Sequence, residues 1–264
     1  MTLVLSEIHI RKGLLDSVVV AAADRRITRE QQYDSTRKKL FNIRKLNAAI
    51  SYYGLAEVYP ARQRAKSEYL SSWLPTFIKN HSDAKSMEDL ALSLREELHK
   101  IVPKETLARH ASGFHICGFN EDGFPDFFHL TNVTKIRGDK YAEVEDQYQR
   151  PSSDFLGRDA RKTLDWDGQS TMAIKPGGVI YRNGDFKSHA LAAELLDEML
   201  ERFFTFPDFR RPKTPEDHRD FVKFKLEVIA YTYKKWAKSK LIGRPIDVIV
   251  RTKARVWATS GVTL

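Results

Sequence analysis

The segment Ser17–Ala23, SVVVAAA, constrains the fold more than any other part of this sequence. It is a continuous run of β-branched and alanine residues that leads directly into Asp24. Such a run without alternation is typical of a strand buried on both faces. A carboxylate at the end of a buried strand is costly unless another group pairs with it. The segment therefore predicts an interior strand that ends at a buried, paired acid.

Further strands are predicted on both sides of this run. Thr2–Ile10 alternates as a strand does, and Arg11–Asp16, which contains Gly13, is a turn. A second pair of strands is expected at Leu40–Ile43 and Leu46–Ser51. The first fifty residues are therefore mostly sheet.

Four helices are predicted from apolar periodicity and capping residues. They are expected at Pro60–Asn80, after the Ser86 cap, at Ser188–Phe204 and from the Thr214 cap to about Lys238. The apolar side chains expected to face inward are Leu191, Leu195, Met199, Leu200 and Phe203 in the third helix, and Phe221, Phe224, Val228, Ile229 and Trp236 in the fourth.

The order of these elements is sheet, helices, sheet, helices and a closing strand at Ile246–Val250, extended by Val256 and Trp257. Runs of strands that alternate with runs of helices indicate an α+β fold, in which helices pack outside antiparallel sheets, rather than a doubly wound βαβ fold. The chain has no linker, repeat or low-complexity tract, so residues 1–264 are interpreted as one domain. A polar insertion around residues 133–170 follows no readable pattern.

Ser112–Asn132 is predicted to be a hairpin whose two aromatic strands flank a turn at Asn120–Gly123. His115 and His129 lie in these strands and are either ordinary strand residues or metal ligands. No second pair of possible metal ligands occurs at a useful spacing, which favours ordinary strand residues and no metal site. Cys117 is the one cysteine of the chain, which excludes an internal disulfide and fits a reducing compartment. We expect it to be a small buried core residue.

The charge balance is basic, with 44 Lys and Arg against 35 Asp and Glu, a net +9. A basic surface can attract nucleic acid or anionic substrates. The basic residues are scattered among acids, and neither a zinc-finger spacing nor an aromatic RNA-binding signature occurs, which argues against a nucleic-acid partner. No apolar run is long enough for a membrane span and no secretion signal precedes the first strand, so we expect a cytoplasmic protein without a membrane partner.

Thr2, Asp24 and Lys39 form the constellation that could carry chemistry. If Met1 is removed, Thr2 has a free α-amine beside its hydroxyl, and that amine titrates near neutral pH, so it can act as the base for the nucleophile. A lysine cation would favour the alkoxide, and an aspartate would hold the lysine charged and in place. The three residues converge if the first, second and third strands are neighbours. Backbone N–H groups at Ser51–Gly54 are candidates for binding the oxyanion.

These segments resemble the proteasome-type N-terminal-nucleophile hydrolases, the family of proteasome β subunits and their simpler bacterial relatives. The resemblance rests on TLVL, VVVAAADRRIT, RKKLFNI, AAISYYGLAE, FHICGFNEDGFPDFFHL and GRPIDVIV. It is good over residues 2–58, recurs at 112–132 and 243–253, and is faint between. It implies a four-layer αββα sandwich of two antiparallel sheets flanked by helices.

The resemblance also implies site residues. Thr2 matches the nucleophile, Asp24 the buried acid, Lys39 the active-site lysine and Arg26 the arginine that follows the acid. The spacing from Thr2 to Asp24 is a few residues longer than is usual in the family.

Some positions depart from the family pattern. Tyr52 or Tyr53 stands where the family usually has a glycine beside the oxyanion, just before Gly54. Of the residues that support the threonine before the last strand, the chain offers only Ser239. The glycine-serine loop of the family before the first C-terminal helix corresponds here to RNGDFKSH, in which Asp185 and Ser188 are the weaker candidates.

The expected function is that of an N-terminal threonine amidohydrolase, most consistent with a peptidase that forms an acyl-enzyme on Thr2 and uses no cofactor. The family implies self-assembly into a ring or stack. No nucleotide-binding loop occurs in the chain, so any ATP-dependent unfoldase would be a separate partner. The alternatives are a catalytically inactive scaffold or regulatory subunit of the same fold, and a basic nucleic-acid-binding module.

Overall fold

The structure is a computed structural model that describes residues 3–29, 32–59, 67–137, 140–156, 177–184, 193–253 and 256–259. The strands are β1 (Leu3–Ile10), β2 (Ser17–Asp24), β3 (Arg26–Arg29), β4 (Gln32–Thr36), β5 (Leu40–Ile43), β6 (Ala48–Tyr53), β7 (Glu57–Val58), β8 (Glu68–Tyr69), β9 (Gly113–Phe119), β10 (Pro125–Thr131), β11 (Val133–Arg137), β12 (Lys140–Val144), β13 (Gly177–Gly184), β14 (Ile246–Thr252) and β15 (Val256–Thr259). The helices are α1 (Leu70–Asn80), α2 (Met87–Ile101), α3 (Lys104–Leu107), α4 (Ala193–Phe203) and α5 (Pro215–Trp236).

The first large sheet has five strands in the order β13-β1-β2-β14-β15, and its neighbours pair antiparallel. The strand β2 lies at its centre, between β1 and β14, and all eight of its residues are buried. A strand with both neighbours present and both faces covered needs apolar side chains on both faces. The interior strand predicted from SVVVAAA is therefore confirmed.

The second large sheet has four strands in the order β10-β9-β6-β5, also antiparallel. The hairpin of β9 and β10 turns at Asn120–Gly123, where the Gly123 N–H donates to the Asn120 carbonyl at 2.9 Å and Gly123 has a φ of +79°. Glycine takes this left-handed conformation without strain. The predicted hairpin is confirmed, and Cys117 is a buried residue of its first strand, as expected.

Three hydrophobic clusters lie between these elements. One lies between the two large sheets and contains alternate residues of both, such as Ile8 and Ala21 on one side and Ala49 and Phe127 on the other. A second lies on the outer face of the four-stranded sheet, against α1 and α2. A third lies on the outer face of the five-stranded sheet, against α5. The chain is thus a mixed α and β structure with several antiparallel sheets, compatible with an α+β sandwich.

Both predicted helix caps are present. The Ser86 hydroxyl accepts a hydrogen bond from the Asp89 N–H at 3.1 Å, and α2 begins at Met87. Thr214 accepts from the Asp217 N–H at 3.0 Å, while the Asp217 carboxylate accepts from the Thr214 N–H at 3.1 Å. These reciprocal bonds satisfy N–H groups that the first turn of a helix leaves open.

The inward faces of the last two helices were predicted wrongly in part; Leu191 lies outside the described residues. Leu195, Met199 and Phe203 of α4 are 66%, 47% and 40% exposed, and Phe224 and Trp236 of α5 are 49% and 72% exposed. The buried stripe of α5 consists of residues that pack on the five-stranded sheet: Val222, Leu226, Ile229, Ala230 and Tyr233. Only Ile229 is shared with the prediction for that helix, because the face that packs on the five-stranded sheet is rotated from the predicted one.

Two further element predictions need correction. The helix expected at Pro60–Asn80 begins at Leu70, because Glu68 and Tyr69 are extended and pair with β7; residues 60–66 lie outside the described residues. The turn expected at Arg182–Asp185 is strand up to Gly184, because Gly177–Gly184 pairs along the whole of β1. Asp185 and Ser188 lie outside the described residues.

The insertion expected around residues 133–170 contains the two-stranded sheet of β11 and β12. Beyond it, Tyr148 and Phe155 are fully buried. Tyr148 belongs to the hydrophobic cluster that packs against α1 and α2, and Phe155 belongs to the cluster between the two large sheets. Residues 157–176 lie outside the described residues, so the treatment of 1–264 as one domain stays a prediction. Among the helices described, none has the length and apolarity that crossing a membrane requires.

Candidate active site

Asp24 is the centre of the candidate site. Its side chain is completely buried at the end of β2. Oδ1 accepts hydrogen bonds from the Leu3 N–H at 2.9 Å and from Lys39 Nζ at 3.0 Å. Oδ2 accepts from the Arg26 N–H at 3.0 Å and from the Gly243 N–H at 3.3 Å. Hydrogen bonds to both oxygens offset the cost of burying this carboxylate. The partner predicted for the buried acid is therefore present.

Lys39 supplies that cation from the segment just before β5. It is also fully buried, and besides Asp24 its Nζ donates to the Arg26 carbonyl oxygen. Burial lowers the pKa of Lys39 from its ordinary value, while the Asp24 charge acts in the opposite direction. Two buried opposite charges at 3.0 Å form an ion pair shielded from solvent. The structure thus brings together Asp24 and Lys39, as the sequence predicted.

The ion pair lies at the start of β1. Thr2 itself is outside the described residues, but the Leu3 nitrogen that donates to Asp24 is the nitrogen of the peptide bond that joins Thr2 to Leu3. In the antiparallel pairing of β1 with β13, Leu3 lies opposite Gly184. The candidate nucleophile therefore immediately precedes a backbone position that is fixed to the carboxylate.

The loop before β14 forms another side of the site. Gly243 donates to Asp24, and a side-chain carbon added at Gly243 would lie 3.1 Å from Arg26 Cδ. Close by, Arg25 forms a bidentate ion pair with Asp247, with Nε–Oδ2 and Nη2–Oδ1 distances of 2.7 and 2.6 Å. Hydrogen bonding to Asp247 raises the pKa of Arg25. These contacts fix the chain on both sides of Asp24.

The sequence did not reveal the roles of Gly243 and Asp247. Gly243 and Asp247 were identified only as parts of the segment GRPIDVIV, with no contact to the candidate site. Both contacts join positions more than two hundred residues apart in sequence, so no local pattern marks them.

The candidates next to the oxyanion position are placed as follows. The Tyr52 N–H donates to the Lys39 carbonyl at 3.3 Å, so this N–H is used within the sheet. The Tyr52 hydroxyl donates to the Lys38 carbonyl at 3.3 Å, and burial raises the Tyr52 pKa. Tyr52 thereby supports the segment that carries Lys39. The oxyanion cradle expected at Ser51–Gly54 stays a prediction for the remaining N–H groups.

Tyr53 and Gly54 have structural roles of their own. The Tyr53 hydroxyl lies 3.0 Å from both His129 Nε2 and Thr131 Oγ1, away from the ion pair. Gly54 has a φ of +82°, and a side-chain carbon there would lie 2.1 Å from the Ala111 carbonyl oxygen. The glycine is required by this close approach.

Ser239 lies in the segment between α5 and β14, four residues before Gly243, and its carbonyl accepts the Leu241 N–H at 3.0 Å. Its proposed support of Thr2 stays a prediction.

A polar network between the two large sheets was not predicted. His115 Nε2 lies 2.6 Å from Asn183 Oδ1, and Nδ1 lies 3.2 Å from the Ser6 hydroxyl. Burial lowers the pKa of His115 to about 4. The neutral ring therefore donates through Nε2 to the amide oxygen and accepts from Ser6 through Nδ1. His115 is thus a hydrogen-bonded core residue, and the described residues contain no cluster of histidine, cysteine or carboxylate side chains suited to a metal ion.

A charge cluster that was not predicted lies between α5 and the five-stranded sheet. Glu7 in β1 is fully buried and pairs with Lys225, which also contacts Asp197 of α4 at 3.0 Å. Burial alone would raise the pKa of Glu7, but Lys225 and His9 together lower it to about 2. The acid at Glu7, between Ser6 and Ile8 in a strand, was the sequence signal that could have indicated this pair. The cluster anchors α4 and α5 to the sheet.

No protein-family model matches this chain, and a search of curated proteins gave no match either. Support for a function therefore comes from the residues and their geometry.

Proposed function

We propose that this chain is an N-terminal threonine amidohydrolase, and specifically a peptidase, that acts through an acyl-enzyme on Thr2 once the bond between Met1 and Thr2 has been cleaved. One observation carries the proposal: the buried ion pair of Asp24 and Lys39 lies at the nitrogen of Leu3, directly after the candidate nucleophile. Buried ionisable groups of opposite charge beside a nucleophilic side chain are found at active sites.

The chemistry follows from these groups. The Thr2 hydroxyl oxygen attacks the carbonyl carbon of the substrate amide, and its proton passes to the free α-amine of Thr2. The C–N bond of the substrate breaks as the leaving nitrogen takes up that proton, which leaves the acyl group as an ester on Thr2. A water molecule, deprotonated by the same amine, then attacks the ester and releases the acid. The hydroxyl and the amine are restored.

Asp24 and Lys39 would act through charge. The Lys39 cation favours the developing alkoxide of Thr2 and lowers the pKa of the neighbouring α-amine by repulsion between like charges. Asp24 holds the lysine charged inside the protein and binds the Leu3 N–H, which limits the positions that residue 2 can take. A site that is fixed before the reaction avoids reorganisation in the transition state.

The finer description of the fold belongs to the same proposal. We propose a four-layer αββα sandwich of the N-terminal-nucleophile type. Its support is the order of the hydrophobic clusters: helices α1 and α2, the four-stranded sheet, the five-stranded sheet and helix α5. The proteasome-type resemblance predicts the same order of layers.

The test combines a mass with a matched pair of variants. The intact mass of the purified protein reports whether Thr2 is the first residue, and a peptide epoxyketone or β-lactone should add one equivalent to Thr2. Thr2→Ala should abolish both labelling and peptide hydrolysis, whereas Thr232→Ala, on the exposed side of α5, should retain them. Hydrolysis that is unchanged in Thr2→Ala would exclude the proposal.

A second function is favoured by one observation. Three of the four hydrogen bonds that Asp24 accepts come from backbone N–H groups, which join β1, β3 and the loop before β14. Such a centre could serve only to hold these segments together in an inactive scaffold or regulatory subunit. Labelling of Thr2 by the covalent probe would reject this alternative.

Partners and location remain part of the proposal. We propose self-assembly through the outer face of α4, where Leu195, Met199 and Phe203 are exposed at a spacing of four residues. Exposed apolar rows of this kind mark interaction surfaces. An ATP-dependent unfoldase is the partner that the family resemblance suggests, and the cytoplasm is the compartment that the single cysteine suggests.

A further inference from the structure

A surface cavity of about 510 Å³ lies between the start of α2 and the turn of the β9–β10 hairpin. Its volume is within the range of about 300–1,000 Å³ that is typical of ligand sites. Tyr52 and Tyr53 at the end of β6 pair with the start of β9, and the Tyr52 N–H donates to the Lys39 carbonyl. The turn after β9 therefore lies at the opposite end of the sheet, and the cavity is separate from the candidate active site.

Asp126 of β10 is a buried acid that lines this cavity, with only 4% of the residue exposed. Its Oδ1 atom accepts three hydrogen bonds, from the Ser153 hydroxyl at 2.7 Å, the Phe127 N–H at 2.8 Å and the Leu156 N–H at 3.5 Å. No described residue donates a hydrogen bond to Oδ2. A buried acceptor without a donor is unfavourable, so this oxygen is the one left for a ligand.

The lack of a cation distinguishes Asp126 from the other three acids that are buried among the described residues. Each of those three pairs with a lysine or arginine of this chain: Glu7 with Lys225, Asp24 with Lys39 and Asp247 with Arg25. No ion pair within the described ranges involves Asp126. Burial raises the pKa of Asp126 to about 6, against the effect of its hydrogen bonds. A buried acid that lacks a cation and lines a cavity indicates that the cation belongs to a ligand.

Three further acids line the cavity at its exposed rim: Glu88 in the first turn of α2, and Glu121 and Asp122 in the hairpin turn. The start of α2 carries a partial positive charge of about half a unit, which is smaller than the negative charge of the three carboxylates. The cavity is therefore negative in a chain whose net charge is +9, and it favours a cation over an anion.

The walls of the cavity beside these acids are apolar. Met87 and Phe128 are 3% and 5% exposed, and Leu156 is half-buried. A cation with an aliphatic stem fits such walls, because the stem covers apolar surface while its charged end reaches a polar group. A guanidinium also stacks on an aromatic ring and keeps five N–H donors in its plane, whereas an ammonium is a compact and strongly hydrated charge. An arginine-like group is thus better suited to this cavity than a lysine-like one.

We propose that this cavity binds an alkyl guanidinium group, with Asp126 as the acceptor of the charged end and with Met87, Phe128 and Leu156 against the stem. The group is the arginine side chain of a peptide or protein segment, or belongs to a small guanidine compound. It gives Asp126 the cation that Lys39 gives to Asp24.

Isothermal titration calorimetry on the full-length chain tests this site. The probes are a pentapeptide of four glycines around one arginine, blocked at both ends, and twins with lysine or citrulline in place of the arginine. Citrulline has nearly the shape of arginine but no charge. Agmatine, which has the guanidinium and its stem without a peptide, separates the two sources of the ligand. Mass spectrometry after each titration establishes that the peptides stay intact.

We expect the arginine peptide to bind at least about tenfold more tightly than the citrulline peptide at neutral pH, because citrulline loses the charge-assisted hydrogen bond. The lysine peptide should lie between them. Asp126→Asn should remove the preference, since asparagine keeps one oxygen for the three donors and has an NH2 group in place of Oδ2. Glu198→Gln, which removes a carboxylate from the exposed surface of α4, is the matched control and should keep the preference.

The wild type provides a second measurement that needs no variant. Because the pKa of Asp126 is about 6, most of this carboxylate is protonated at about pH 5, and the preference for arginine should fall by about tenfold between neutral pH and that value. Agmatine that binds as tightly as the arginine peptide would support a small guanidine compound as the ligand, and a tighter peptide would support a protein segment.

Equal affinities of the arginine and citrulline peptides would overturn the proposal, as would a preference that survives in Asp126→Asn or does not change between neutral pH and about pH 5. Lysine and arginine peptides of equal affinity would overturn the assignment to a guanidinium. Thermal melting of each variant establishes that a lost preference does not come from unfolding.

Discussion

Replacing Asp24 by asparagine should disrupt the candidate site although the two side chains have the same shape. Both carboxylate oxygens are acceptors, and each receives two donors: the Leu3 N–H and Lys39 on Oδ1, the Arg26 and Gly243 N–H groups on Oδ2. An asparagine has only one oxygen. Whichever way its amide is turned, its NH2 group faces two donors, and Lys39 loses its counter-ion.

The expected destabilisation follows from these contacts. Removing one partner of a buried ion pair costs about 3–5 kcal/mol, because the remaining charge is left uncompensated in the interior. The Lys39→Met variant provides the comparison. It leaves the Asp24 carboxylate with its three backbone donors, so the loss should lie at the lower end of that range or below it.

Equilibrium unfolding in urea measures the difference. With a denaturant slope of about 3 kcal/mol/M, a loss of 3–5 kcal/mol moves the midpoint of Asp24→Asn down by about 1–2 M. The control is Asp16→Asn, which removes the partly exposed ion pair with Arg11 and should change the free energy of unfolding by less than about 1 kcal/mol. A midpoint for Asp24→Asn that coincides with that of Asp16→Asn would refute the reasoning, because it would mean that the carboxylate is not the buried centre of four hydrogen bonds.

Three further predictions follow from the described contacts. Burial lowers the pKa of His115 to about 4 in the folded protein, so the unfolded chain binds this proton first as the pH falls below about 6.5. The free energy of unfolding should therefore fall by on the order of 3 kcal/mol between pH 6.5 and pH 4. His115→Gln should remove this part of the pH dependence in urea titrations. Gly54→Ala should lower the free energy of unfolding by more than about 1 kcal/mol, since the added carbon would lie 2.1 Å from the Ala111 carbonyl oxygen in a left-handed backbone conformation; a stability equal to wild type would contradict that close approach. Leu195→Glu combined with Met199→Glu should reduce the assembly mass in light scattering without lowering the unfolding midpoint, because both side chains are exposed; an unchanged mass would exclude α4 as the contact.

The parts of the fold that the sequence predicted are those that local patterns determine. The strand β2 follows from six apolar residues in a row, the hairpin of β9 and β10 from its turn residues, and the start of α5 from the capping residues around Thr214. Each of these signals lies within a few neighbouring residues. Asp24 could be identified for a related reason: an acid at the end of a buried strand requires a partner, and the chain offered a lysine at the start of a later strand.

The parts that were missed depend on contacts between distant segments. The pairing of β13 along β1 overrides the turn propensity of Arg182–Gly184, and the buried face of α5 is set by how closely the helix approaches the sheet. The Gly243 N–H reaches Asp24 only because β14 pairs with β2. A single sequence contains no signal for such registers. The identity of the ion pair was therefore predictable, whereas the set of donors around it was not.

Lys39 rather than Asp24 separates the two proposed functions. A structural centre that joins β1, β3 and the loop before β14 needs only the Asp24 carboxylate, which three backbone N–H groups already bind. A buried lysine adds a large desolvation penalty, and Lys39→Met leaves the Asp24 carboxylate with its three backbone donors but without its counter-ion. A scaffold would therefore lose part of its stability in Lys39→Met and keep its assembly. A hydrolase would lose its activity in Lys39→Met even where the unfolding midpoint changes less than in Asp24→Asn, and that separation of activity from stability is the result that the catalytic reading of the ion pair requires.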